Sequence, residues 1–325
     1  MNCTQLLKFT PILKEKVWGG EKLKLILYKD SQSKNIGESW EISDVNKDIS
    51  VVANGTLKGK SLEELISTFK EDLVGKKVYQ QFQNKFPLLI KFIDAKEALS
   101  IQLHPNDTLA KQHHNSFGKT EMWYVMQADK KANLIVGFQK EVTKKEYLHH
   151  LKNKTLLHIL NVDEVQQGDV YFIPTGRVHA IGAGVLLAEI QQTSDVTYRI
   201  YDWDRQDNYG NYRELQTKQA LDAIDYSAKE SYKTVYAQKK NTTKNIVSCP
   251  YFTTNILAID GEVKVNHQNK DSFVIYMCVA GKASISYQQQ IEKLAMGETI
   301  LIPASIKELK ITSTEKSVFL EVYIP

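Results

Sequence analysis

The pattern of apolar and polar positions along this chain is dominated by short runs of β-forming residues cut by turn clusters. Val170, Tyr171, Phe172 and Ile173 form one such run, closed by Pro174, Thr175 and Gly176, a cluster that ends a strand and reverses the chain. His179 follows the turn. Gly182 and Gly184 break the chain again, and residues 185–190 are a nearly unbroken apolar strand of the kind buried on both faces. Residues 37–43 alternate as a strand with one polar face, for which a plain edge strand is the bland alternative. Residues 87–94 and 99–104 read as two strands joined by a short turn near Lys96, and residues 121–126 as another. Ser61 with Glu64 and Thr143 with Glu146 are capping-box patterns that start helices, and residues 215–226 form an amphipathic helix. Residues 106–118 read as a polar connection.

From 227 to 244 the chain turns polar and lysine-rich, which marks an exposed connection and a domain boundary. The expected domains are residues 1–235, carrying the helices, and residues 236–325, almost all strand. Gly297-Glu298-Thr299-Ile300-Leu301-Ile302-Pro303 repeats the form of Gly168-Asp169-Val170-Tyr171-Phe172-Ile173-Pro174. The repeat predicts two small β-barrels or sandwiches in tandem. Counting on from each proline, His179 corresponds to Glu308, and Glu121 falls near Ser272, so the copy is expected to lack the chemistry of the first half.

Composition narrows the function classes. At 42% apolar and 25% charged residues, with 42 basic against 38 acidic side chains, the chain is an ordinary globular one without a dense basic block. Nucleic acid and membrane surfaces are therefore not expected partners. No run approaches the ~20 apolar residues of a membrane helix. Cys3, Cys249 and Cys278 are far apart and the N-terminus has no long apolar region, so a reduced, cytoplasmic protein is expected.

The candidate chemistry sits on strand ends. Side chains two apart on a strand share a face, so Gln102 goes with His104 and Lys119 with Glu121. With His179 these offer two imidazoles, a carboxylate and an amide oxygen, a set that suits zinc and also manganese, cobalt or iron. A lone histidine on a strand is more often a packed polar residue; the combination is what raises this set above that. Asp195 and Arg199 are four apart and are expected on one face of a regular strand, either flanking the metal or joined as a structural ion pair. Arg177, Asp202, Asp204 and Arg205 read as a solvated rim or as ion pairs.

Gln102-Leu103-His104-Pro105, Gly118-Lys119-Thr120-Glu121-Met122-Trp123-Tyr124 and Ile173-Pro174-Thr175-Gly176-Arg177-Val178-His179-Ala180 resemble the three metal-site segments of the type I phosphomannose isomerases, which have the cupin fold. The stretch from Gln191 to Arg205 is similar to that family's catalytic strand, and the likeness spans essentially the whole chain. The resemblance implies a mainly β protein of two tandem cupin-like barrels or jelly rolls, with a few short helices inserted in the N-terminal catalytic domain. It implies one zinc ion per chain held by Gln102, His104, Glu121 and His179, Arg199 as principal catalytic arginine, and Lys119 and Asp195 at active-site positions. The implied reaction interconverts mannose 6-phosphate and fructose 6-phosphate by proton transfer through an enediol, with a sugar phosphate as the partner molecule. A lowered pKa at Lys119 would let it carry a proton; otherwise it pairs with phosphate. The chain departs from the long eukaryotic members in lacking their large helical insertion, and has Thr120 where many of them have proline. Two other readings are a cupin oxygenase, against which Gln102 and the Lys119 and Arg199 cations argue, and a non-catalytic sugar-phosphate-binding cupin, which would keep a metal without turnover.

Overall fold

The structure is a computed structural model and describes residues 3–206 and 209–325. The chain is mainly β, with short helices inserted in its first half. A six-stranded sheet runs in the order Ile12–Gly20, Ile36–Ile42, Leu88–Ala95, Val185–Gln192, Glu121–Ala128, Val170–Ile173. A five-stranded sheet faces it, in the order Tyr198–Tyr201, Ile101–Leu103, His179–Ile181, Asn133–Phe138, Leu160–Glu164. The second half repeats the plan: Thr243–Ser248, Thr253–Asn266, Glu308–Tyr323, Val274–Ala280 and Thr299–Ile302 pair in that order, with Lys282–Tyr287 and Gln290–Ala295 beside them. This is the jelly-roll pattern twice over.

Alternation along the strands decides which side chains meet. On Glu121–Ala128, Trp123 and Val125 turn to the space between the first two sheets, with Ile93, Ile181 and Leu187. Met122, Tyr124 and Met126 turn the other way and join Ile190, Ile275, Met277, Leu320 and Val322 in one apolar core. The second half thus backs the sheet whose other face carries the candidate chemistry. Leu7 extends this union, pairing with Leu301 through both backbone hydrogen bonds, at 3.0 and 2.9 Å, while Leu6 packs inside the second half.

Several local expectations are met. The capping boxes of Ser61 with Glu64 and Thr143 with Glu146 start the helices Leu62–Phe69 and Lys144–Lys152. The amphipathic helix expected over 215–226 is confined to Thr217–Ala223. Others are corrected. The 37–43 segment lies within Ile36–Ile42, which is buried throughout and covered by Ile12–Gly20, so it is not an edge strand; its polar face looks into a pocket. The strands flanking Lys96 do not form a hairpin but enter different sheets. The 106–118 connection contains a helix, Asp107–His114, capped by the Asn106 side chain on the Leu109 amide. It buries only Ala110 among its residues, so no apolar periodicity announces it. The 227–244 stretch is mostly exposed, as expected, but two tyrosines tie it to the first half. Tyr232 is buried, its hydroxyl donates to the Phe138 carbonyl at 3.0 Å, and the Tyr236 hydroxyl donates to that of Gly168 at 2.6 Å.

Candidate active site

The site is assembled where the two facing sheets of the first half come together. Gln102 and His179 are cross-strand partners on adjacent strands, and Arg199 pairs with Gln102 from the other side. Glu121 begins the strand opposite, paired with Ile173 just before the Pro174 turn. Gly176 in that turn has φ +79°, and a Cβ there would stand 2.5 Å from the Ala223 carbonyl oxygen, so the position requires glycine. Its amide donates to the His104 carbonyl at 2.8 Å, tying the turn before His179 to the other histidine.

His104, Glu121 and His179 are each about 1% exposed, and their ligating atoms lie within 4.8 Å of one another. Nε2 of His104 is 3.4 Å from Oε2 of Glu121, and Nε2 of His179 is 3.5 Å from Oε1. Each ring is aimed by its other nitrogen: Nδ1 of His104 bonds the Val196 carbonyl at 2.9 Å and Nδ1 of His179 that of Arg177 at 2.8 Å. Those bonds leave both Nε2 lone pairs facing the carboxylate, as in metal sites whose histidines are oriented by outer partners. Burial lowers both imidazole pKa values, His104's to about 3, so both rings are neutral at neutral pH. Burial works against the charge on Glu121, but the Lys119 ammonium outweighs it and holds the carboxyl well below its usual range. The Gln102 carboxamide completes the group, 3.4 Å from Nε2 of His179. A buried carboxylate with two neutral nitrogen donors and an amide is a donor set that fits one divalent cation. Among the described residues, His104, Glu121 and His179 are the group of three that meets this geometry.

A pocket of about 480 Å³ opens over Gln102, Glu121 and His179. Lys119, Asp195 and Arg199 line it too, so all three expected active-site residues share this space. Lys119 Nζ is 3.1 Å from Glu121 and 3.2 Å from Nε2 of His104. Of the two alternatives left open for Lys119, the lowered pKa is not the one favoured: burial favours the neutral amine, but Glu121 and Glu189 outweigh it and raise the value. Arg199 lies on the Tyr198–Tyr201 strand, whereas Asp195 precedes it in a loop, bonded by Asn46 at 3.3 Å. No Arg199–Asp195 ion pair forms; the guanidinium donates instead to Ser100 Oγ at 3.3 Å and to the Glu214 carbonyl at 3.0 Å. Arg177, Asp202, Asp204 and Arg205 form ion pairs, with Arg177 buried against Asp225 rather than on a rim.

Sequence reasoning missed a second tier of charge. Glu38, Lys91 and Glu189 line the pocket and, with Lys16 and Lys119, alternate in sign: Lys16–Glu38 at 3.2 Å, Glu38–Lys91 at 3.8 Å, Lys91–Glu189 at 3.7 Å and Glu189–Lys119 at 3.8 Å. Burial would raise Glu38, but Lys91 and Lys16 lower it to about 2; in Glu189 burial prevails and raises the carboxyl to about 7. Lysine and glutamate inside otherwise apolar strands, at 91 and 189, were the available signal, since such residues are rarely buried without partners.

The ladders also correct the internal match. Glu121 pairs with Ile173 as Val274 pairs with Ile302, so Val274, not Ser272, stands at the position of Glu121. Leu309, paired with Val265 and turned inward, takes the place of His179, because the copy's turn has one more residue and Glu308 faces solvent. By the same register Gln102 corresponds to Val265, His104 to His267 and Glu189 to Glu321. The copy keeps a buried cluster in which the Tyr276 hydroxyl donates to Glu321 at 2.7 Å and Lys270 pairs with Glu321 at 2.7 Å.

Comparison with known proteins gives a consistent result. Residues 6–153 match the family described as phosphomannose isomerase type I, catalytic domain, and residues 241–321 the mannose-6-phosphate isomerase cupin domain. Mannose-6-phosphate isomerase of Streptococcus mutans is 34% identical over 90% of both chains. Mannose-6-phosphate isomerase ManA of Bacillus subtilis is 33% identical over 95% of this chain and 96% of its own. The crystal structure of the mannose 6-phosphate isomerase from Bacillus subtilis superposes with a TM-score of 0.87 at 33% identity, covering 98% of this chain and 99% of that one.

Proposed function

The chain belongs to the type I phosphomannose isomerases, and from that premise we propose how its pocket interconverts mannose 6-phosphate and fructose 6-phosphate. The observation that carries the proposal is the buried meeting of two neutral imidazoles and a carboxylate at the floor of the pocket that Lys119 and Arg199 line. In this reading His104, Glu121, His179 and the Gln102 amide oxygen hold one zinc ion per chain, a nitrogen and oxygen donor set that zinc accepts. When bound, the ion supplies Lewis acidity at the substrate's oxygen.

The chain's own residues do the rest. Moving a proton between adjacent carbons needs a group that takes it from one carbon and returns it to the next. Glu189 is placed for this, its Oε1 buried in the pocket wall without a hydrogen-bond partner and its carboxyl raised by burial. Lys119, kept charged, donates to the oxygen on which negative charge grows, and Arg199 holds that charge from the opposite sheet. Asp195, at the same wall, accepts from a sugar hydroxyl. A cytoplasmic setting accords with the three cysteines, all free.

The test is turnover of mannose 6-phosphate with metal analysis of the same preparation. One divalent ion per chain is expected, chelation abolishes activity, and added zinc restores it. His104→Ala and His179→Ala each lose ion and turnover together. Full activity in rigorously metal-free protein would overturn the proposal.

A further inference from the structure

The segment that carries Lys119 and Glu121 is gripped from outside the pocket. Asp107, the first residue of the helix Asp107–His114, accepts from the Gly118 amide at 2.8 Å and from Nε2 of Gln192 at 3.1 Å on one carboxylate oxygen. Gln192, at the end of the strand Val185–Gln192, accepts from the Thr120 amide at 2.8 Å through its side chain and donates to the Thr120 carbonyl at 3.1 Å through its backbone. The main chain is thereby held on both sides of Lys119. A Cβ at Gly118 would stand 2.7 Å from the Asp107 amide nitrogen, so the absence of a side chain permits this approach. The other Asp107 oxygen accepts from the Tyr251 hydroxyl at 2.7 Å, and Tyr251 belongs to the second half of the chain, on the turn before Thr253–Asn266.

We propose that Asp107 is a positioning residue for the metal centre, holding Lys119 and Glu121 in place through Gly118 and Gln192, and that Tyr251 makes the second half of the chain a participant in the site. The physical reason is that Lys119 lies just ahead of the strand that Glu121 begins: its amide makes a long 3.3 Å bond to the Pro105 carbonyl, and the ladders to Ile173 and Gln191 start at Glu121. A carboxylate that accepts from three donors supplies the missing restraint, and charge-assisted bonds are about twice as strong as neutral ones. The inference rests on the isomerase reading for its kinetic arm only; metal affinity measures it independently.

The experiment compares wild type, Asp107→Ala, Tyr251→Phe and the double variant, each for thermal midpoint, zinc affinity by chelator competition, and kcat and KM on mannose 6-phosphate. Outer-shell partners of metal ligands typically contribute about tenfold to hundredfold in affinity or activity; Asp107 acts on the ligand-bearing segment through its backbone, so Asp107→Ala is expected at the lower end, about tenfold, with KM little changed. Tyr251→Phe removes one bond and is expected to lose roughly threefold to tenfold in the same quantities. The double variant should be no worse than Asp107→Ala alone, because both act through one carboxylate. A merely structural role would lower the thermal midpoint and leave zinc affinity and kcat at wild-type values, and that result overturns the proposal. Should Asp107→Ala not fold, Tyr251→Phe decides by the same criteria. If wild type binds zinc without turnover, the isomerase reading fails and the affinity arm still decides the positioning role.

Discussion

Arg199 is the residue for which two readings separate most sharply. Its ion-pair role is excluded by the geometry, since the guanidinium meets Ser100 and Glu214 instead of Asp195. Arg199→Ala should therefore stay folded and keep its metal, while turnover falls at least about a hundredfold, the usual loss for one preorganised donor. Near-normal turnover in folded, metal-replete protein would remove it from the mechanism. Glu321 offers a test of the copy's buried cluster. Burial would raise its carboxyl, but His267 at 3.6 Å and the charge of Lys270 depress it to about 2 from 4.5. A depressed acid stabilises fully above its unfolded value and loses that contribution as pH falls from 4.5 toward 2. Glu321→Gln should destabilise by on the order of 3 kcal/mol at pH 7, and urea melts should show the difference from wild type shrinking as pH falls through that window.

Among the elements, the Pro174 turn links the two histidines. Gly176 combines positive φ with a contact that admits no Cβ, and its amide holds the His104 backbone. Gly176→Ala is predicted to lose about 1–3 kcal/mol from the backbone conformation alone. It should also weaken zinc binding, which separates it from a glycine that serves only the turn; calorimetry with chelator competition on one sample reads both effects. The strands that meet here differ in what their sequences disclose. Val185–Gln192 is legible because its apolar run is continuous, yet the glutamate within it, Glu189, faces the pocket beside Lys91. Ile36–Ile42 alternates as an exposed strand would, but its polar side is a pocket wall instead of a solvent face.

For the whole molecule, the shared core between the halves makes the second half part of the first half's stability. Met122, Tyr124 and Ile190 on the back of the catalytic sheet are covered by Ile275, Met277 and Leu320. Residues 1–235 expressed alone should therefore expose a contiguous apolar face and aggregate, as large exposed patches do. A soluble, monomeric fragment with wild-type zinc affinity, measured by light scattering and chelator competition, would contradict this.

Much of the plan was legible from sequence because strands, turns and caps are local. The β-forming run over 121–126, the Pro174-Thr175-Gly176 turn and the Ser61 and Thr143 capping boxes need only neighbouring residues, and the spaced Q-x-H, K-x-E and turn-plus-histidine segments named the residues that converge. What only the tertiary structure decided depends on register between distant strands and on the field inside a buried space. A one-residue difference in turn length moves Glu308 outward and Leu309 inward, which counting from a proline does not see. The charge on Lys119 follows from Glu121 and Glu189, one of them 70 residues away by numbering, because pKa values are set by burial and through-space neighbours rather than by sequence distance.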